Sequence, residues 1–116
     1  MPSPKRGEIW LTDFNPKVGA EIEKIRPAVV ISSDAISVAP IKLVAPIRNW
    51  KDLFAGDYWH VRIVPDRSNN LDKISSIDAL QLRGVDPKRL LHKIGRVSSD
   101  KMEEIATAVA AVVEYE

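Results

Sequence analysis

Arg26 stands between a polar loop and the apolar run Pro27-Ala-Val-Val-Ile-Ser32, and this placement is the chain's clearest chemical signal. A guanidinium is always charged, and its planar fork of donors matches two oxygens of a phosphate or carboxylate. Pro27 fixes the backbone beside it. The pattern describes a cation held at the mouth of a β-rich core, with an anionic ligand as its natural partner. The plainer alternative is a structural ion pair with Glu21 or Glu23.

His60 is the second candidate. In Tyr58-Trp-His-Val-Arg-Ile-Val64 it alternates onto one face with Tyr58 and Arg62. An imidazole with an ordinary pKa of about 6.5 can act as acid or base near neutrality, although a solvated surface histidine has the same pattern. His92 is given no role. Two separated histidines, with no cysteine in the chain, do not make a metal site. Of the three tryptophans, Trp50 lies beyond a strand beside Lys51 and Asp52, so exposure and stacking on unpaired bases are expected of it. Trp10 and Trp59 read as packing residues.

The 116 residues are enough for one domain with a real core, taken as residues 1–116. The 45% apolar and 28% charged composition is that of a folded globule. No apolar run approaches the roughly 20 residues of a membrane span. The N-terminus lacks a signal-peptide core. These features point away from the membrane and toward the cytoplasm. Charge is unevenly placed: residues 1–99 carry 16 Lys/Arg against 11 Asp/Glu, whereas residues 100–116 carry one Lys against five acids. A basic body with an acidic tail can attract nucleic acid over part of its surface.

The elements that position these residues are mostly strands. Residues 8–14 form a first strand, with Ile9 and Leu11 on one face and Trp10, Thr12 and Phe14 on the other. Asn15-Pro16 and Val18-Gly19 are turn chemistry, so residues 15–25 form a loop. The β-branched run 27–32 reads as a strand covered on both faces. Residues 41–48 form a third strand, in which Pro46 removes a ladder donor and predicts an edge or a bulge just before Arg48. Residues 58–64 give a fourth strand and 75–83 a fifth; a 3₁₀ segment follows at 87–90, and 92–97 add a sixth. Ser98 or Ser99 then caps a helix whose apolar stripe is Met102, Ile105, Val109, Val112 and Val113. The expected fold is mainly β with a C-terminal helix: a small, strongly bent sheet or barrel of five to six strands.

The order RGEIWLTDFNPKVGAEIEKIRPAVVIS over residues 6–32 resembles the opening of the MazF/PemK (Kid-like) toxin endoribonuclease family. The similarity continues through Val44-Ala-Pro-Ile47, Asp78-Ala-Leu-Gln-Leu-Arg83 and the terminal helix. The resemblance implies an SH3-like, PemK-like barrel that works as a homodimer, needs no cofactor and is silenced by a cognate antitoxin. The implied reaction is metal-independent cleavage of single-stranded RNA, in which the ribose 2′-hydroxyl attacks the adjacent phosphate. That chemistry needs a base, an acid and cationic donors. Arg26 matches the family's catalytic arginine, and Glu21 falls in the loop used over the RNA groove. Candidates for the base are Glu21, Asp78 and His60. Lys24, Trp50, His60 and Gln81 are the implied RNA contacts.

Two positions depart from the family pattern. Arg48 stands where a threonine usually binds the scissile phosphate, and Leu80 replaces an acid before Gln81. Arg48 can pair with Arg26 as a two-cation clamp, and Asp78 can substitute for the missing acid. Three functions follow: a toxin endoribonuclease, a nuclease-dead relative that binds RNA or antitoxin, and a gyrase poison of the same fold. The antitoxin expected here is a short acidic segment that folds on binding over the RNA groove.

Overall fold

The computed structural model describes residues 3–16, 18–21, 24–36 and 40–115. Among the described residues, seven strands and one α-helix form in chain order: β1 (Glu8–Asp13), β2 (Ile25–Val30), β3 (Lys42–Asn49), β4 (His60–Ile63), β5 (Ser75–Asp78), β6 (Arg83–Val85), β7 (Leu90–Arg96) and α1 (Ser99–Val112). The strands make one sheet in the order β4-β5-β3-β2-β1-β7, with β6 also paired to β3. All the pairings are antiparallel. The mainly β fold with a C-terminal helix is as expected, but β4 and β7 end the order unpaired with each other, so the sheet is open and not a closed barrel.

The extra strand comes from the segment expected to run unbroken from 75 to 83. Asp78 interrupts it. Its carboxylate accepts the backbone N–H groups of Leu80 (3.1 Å) and Gln81 (3.3 Å), closing a 3₁₀ turn over Ala79–Gln81. Short acidic side chains compete with the ladder for backbone donors in this way. The chain therefore leaves the sheet after β5 and re-enters it as β6.

β3 organises the sheet. One edge pairs with β2 through Val44–Val30, Ala45–Val29 and Pro46–Ala28. Its other edge pairs with β6 at Lys42–Val44 and with β5 at Ile47–Asn49. Pro46 is therefore in a central strand, not an edge. It is tolerated because Ala45 and Pro46 fall in the gap between β6 and β5, where no ladder donor is required.

Alternation along the strands builds two apolar layers. Ile9, Val29, Ala45, Ile47, Val61, Ile63 and Ile77 form one, covered by Met102, Ile105 and Ala108 of α1. Phe14, Ala28, Val30, Val44, Val85 and Leu90 form the other, with Trp10 against it. Ala28, Val29 and Val30 are all fully buried, as expected of a strand covered on both faces. Each such Val or Ile contributes about 1.5–3 kcal/mol by leaving water. Trp10 and Trp59 pack against these layers, as expected.

The Ser98 hydroxyl accepts the Lys101 N–H (3.1 Å) and starts α1, with Asp100 in the first turn. Val113 does not continue the apolar stripe: it follows the helix end and is 68% exposed. Lys101 reaches back from α1 to the Arg62 carbonyl (2.8 Å), tying the helix to β4. Among the described residues, no helix is long and apolar enough to cross a membrane.

Candidate active site

Beyond the last paired residues, Ala28 and Pro46, β2 and β3 separate because β3 turns to pair with β5. Continuing the same register, the next residues on that face are Arg26 and Arg48. Both line one cleft of about 290 Å³ in this opening, with Ile25, Pro27, Ile47 and Asn49 around them. Leu71, Asp72, Lys73 and Ser75 close its far side. The structure thus brings to one cleft the two arginines that the sequence reading offered as a two-cation clamp. Three cationic side chains and one carboxylate line the opening.

The far wall is a loop that sequence reasoning left without a role. Asn69, almost wholly buried, fixes it. Its amide oxygen accepts the N–H groups of Asp66 and Leu71 (both 3.0 Å), while its amide nitrogen donates to the Val64 carbonyl (2.9 Å). The loop also lies hard against β7: a Cβ on Gly95 would come within 2.4 Å of the Ser68 carbonyl oxygen. The Asp66-Arg-Ser-Asn-Asn run was legible as turn chemistry, but nothing in it showed that it delivers Asp72 and Lys73 to Arg26.

Arg89 was missed for a similar reason. From the 3₁₀ turn before β7 its guanidinium donates to the carbonyls of Asp13 (3.0 Å) and Asn15, gripping the chain as it leaves β1. The two arms of the following loop are joined by Phe14 N–H to the Lys24 carbonyl and by Lys24 N–H to the Asn15 side-chain oxygen, both 3.0 Å. Lys24 takes a left-handed φ of 74° here, directly before Ile25 and Arg26. Glu23, the other ion-pair alternative for Arg26, lies outside the described residues.

The remaining expected site residues occupy other surroundings. Glu21 is exposed and lines a separate cleft with Ala20, Leu80, Gln81, Leu82 and Arg83, where the Gln81 amide reaches the Ala20 carbonyl (3.5 Å). Asp78 is buried and engaged by its turn. Trp50 is half-buried, not exposed, with its ring edge-on to Phe54 (5.8 Å) and the Arg62 guanidinium over it at 5.9 Å. None of Glu21, Asp78 and His60 lines the two-arginine cleft; among the described residues, the carboxylate that does is Asp72.

His60 packs flat on Phe54 (3.8 Å between ring centres, 11° between planes), and its Nδ1 lies 2.8 Å from the Ser76 hydroxyl. Burial lowers its pKa below the ordinary value. The Arg48 charge acts the same way, and the Asp78 and Asp57 charges oppose both. Near neutrality the ring is therefore uncharged.

The family model for the PemK-like, MazF-like toxin of type II toxin-antitoxin systems matches residues 5–113. The chain belongs to this family. It is 31% identical to the endoribonuclease MazF9 of Mycobacterium tuberculosis, over 90% of this chain and 92% of that protein. The fold is that of crystalline MazF from Deinococcus radiodurans, with a TM-score of 0.81 at 20% identity over 98% of this chain and 99% of the other. It also matches an endoribonuclease in complex with its cognate antitoxin from a mycobacterial species, with a TM-score of 0.76 at 16% identity over 98% of both chains. In this chain, Arg26, Arg48 and Lys73 share the lining of one cleft with Asp72.

Proposed function

We propose that residues 1–116 act as one toxin domain that cleaves single-stranded RNA without a metal, as a homodimer restrained by a cognate antitoxin. The observation that carries this reading is the pairing of Arg26 and Arg48 across one cleft, with Lys73 beside them. Cleavage proceeds by loss of the 2′-hydroxyl proton and attack of that oxygen on phosphorus. The bond to the 5′-oxygen then breaks, and that oxygen takes a proton. The products are a 2′,3′-cyclic phosphate and a 5′-hydroxyl. Arg26 and Arg48 stabilise the charge gathering on the phosphate oxygens. Ser75 brings a hydroxyl to the cleft, but it donates to the Lys73 carbonyl (2.9 Å), so the threonine's usual task falls to Arg48.

Asp72 is the cleft's own candidate for the 2′-proton; Glu21 lines a separate cleft and would have to be brought over by its loop. Asp78 acts through the turn it closes. Trp50, Lys24, His60 and Gln81 are proposed to contact the flanking nucleotides, although none of them lines the two-arginine cleft. A second reading, binding without cleavage, is favoured by one observation: the buried Asp78 carboxylate is already engaged by two backbone donors.

The deciding experiment incubates the protein with a long single-stranded RNA in EDTA and maps the ends. Discrete cuts with cyclic or 3′-phosphate ends, lost in Arg26→Ala, support the nuclease. Intact RNA that is nevertheless retained by the protein supports the second reading.

A further inference from the structure

Among the described residues, the Arg48 side chain has neither a carboxylate partner nor a hydrogen bond; its guanidinium lies over the face of Phe54, 5.3 Å from Cζ to the ring centre. We propose that Phe54, His60 and Ser76 form a stack whose task is to orient Arg48 into the cleft with its donors free. The proposal rests on reading the cleft as a phosphate site and adds the residues that position one of its two arginines.

The contacts close a ring through four segments. Arg48 projects from β3 onto Phe54 in the 3₁₀ turn Asp52–Gly56 that follows it. Phe54 lies flat against His60 of β4, and His60 is bonded to Ser76 of β5. Ser76 is the strand partner of Arg48 itself. Phe54 is 5% exposed and Ser76 fully buried, so each contact is dry on at least one side. Trp50 braces the far edge of Phe54.

The choice of an aromatic ring has a chemical consequence. A carboxylate would orient the guanidinium but would also neutralise it and occupy its fork. A π face attracts the cation without accepting a hydrogen bond. All five N–H donors remain for a ligand. Phe54 thus does for Arg48 what Pro27 and the strand do for Arg26.

The same geometry makes the stack sensitive to the state of His60. An imidazolium would set a second cation against the ring that carries Arg48. The charged groups facing His60 are Asp78 of β5, Asp57 after the turn, Arg48 of β3 and Arg62 of β4. Asp100, Glu103 and Glu104 of α1, together with Tyr58, line the cleft on its other side. Arg48 is the cation among them that shares the ring.

Two measurements on the free protein and one on its activity test the stack. The Arg48 Nε–H resonance should carry an upfield ring-current shift that Phe54→Leu removes. The His60 titration midpoint should rise in Arg48→Ala, because a neighbouring cation is lost. On RNA, Phe54→Leu should lower kcat about 10- to 100-fold, the scale of a small misplacement in an active site. It should cause no further loss in an Arg48→Ala background. Phe54→Tyr, which keeps the π face, should stay close to wild type even if Phe54→Leu folds poorly. Equal losses from Phe54→Leu with and without Arg48, or a His60 midpoint unmoved by Arg48→Ala, would overturn the proposal. Should the wild-type protein leave RNA intact, the nuclease reading fails, and the two resonance measurements still decide the stack.

Discussion

Arg26 and Arg48 occupy facing positions of β2 and β3, two residues past the Ala28–Pro46 pair at which the strands part. The parting is forced by topology. β3 must leave β2 to pair Ile47 with Ile77, and Pro46 stands at the point of change. The register thus sets two guanidinium groups along one cleft, with Lys73 and Asp72 in its lining.

If both arginines meet the scissile phosphate, Arg26→Ala should reduce cleavage on the order of 10²–10³-fold, the usual cost of one charge-stabilising donor. Arg48→Thr should change the rate without abolishing it, because threonine supplies the hydroxyl that the family resemblance implies while removing a cation. Arg48→Ala should also reduce the slope of log affinity against log salt by about 0.7 for single-stranded RNA. Single-turnover cleavage and a salt series of RNA binding measure both effects. A salt slope unchanged in Arg48→Ala would place that arginine off the RNA.

Asn69→Ala should loosen the far wall of the cleft and the fold together. The Asp66 and Leu71 N–H groups and the Val64 carbonyl lose their partner. These bonds are part-buried, so each group left unpaired costs up to about 1–3 kcal/mol. A fall in Tm of at least about 4 °C is expected for a domain of this size. Thermal unfolding followed by circular dichroism reads it, and an unchanged Tm would mean that water replaces the amide completely.

Arg89→Ala should release the chain where it leaves β1. The Asp13 and Asn15 carbonyls are gripped by this side chain from the turn before the neighbouring strand β7, at the start of the loop that returns to Arg26. Hydrogen exchange of the Phe14 and Lys24 amides, both bonded within the neck, should speed up. Arg89→Lys, with one compact cation and no fork, should be intermediate. Exchange rates equal to wild type in Arg89→Ala would show that the neck's own bonds suffice.

Much of this was legible in the sequence because it rests on local periodicity. The β2 run, the β4 alternation and the Ser98 cap need only neighbours in the chain, and all three recur in the structure, with β2 shifted from 27–32 to Ile25–Val30 and β4 shortened from 58–64 to His60–Ile63. The errors fall where one side chain redirects the backbone. Asp78 splits the expected fifth strand in two, and Pro46 sits inside the sheet because its two edge partners leave a gap. The site was half legible. Arg26 and Arg48 could be named, but their meeting depends on register between strands. Asp72, Lys73, Asn69 and Arg89 reach the cleft or its loop through tertiary contacts that no spacing rule reports. Trp50 looked exposed because its sequence neighbours are polar, yet Phe54 and Arg62 cover it.

His60 gives a pH dependence whose sign follows from its lowered pKa. Burial, with help from Arg48, holds the folded pKa below the unfolded value of about 6.5. The unfolded chain therefore binds a proton first as pH falls. By linkage, stability from this site is complete above about pH 6.5 and is lost progressively as pH drops toward the folded pKa. Other groups titrate too, so the comparison that isolates His60 is wild type against His60→Gln. The difference in their Tm values should be constant at pH 7 and above and should shrink below about 6.5, because only wild type gains a proton on unfolding. A difference that is flat from pH 8 to pH 5 would mean that His60 titrates normally in the folded protein, and that its flat packing on Phe54 tolerates the charge.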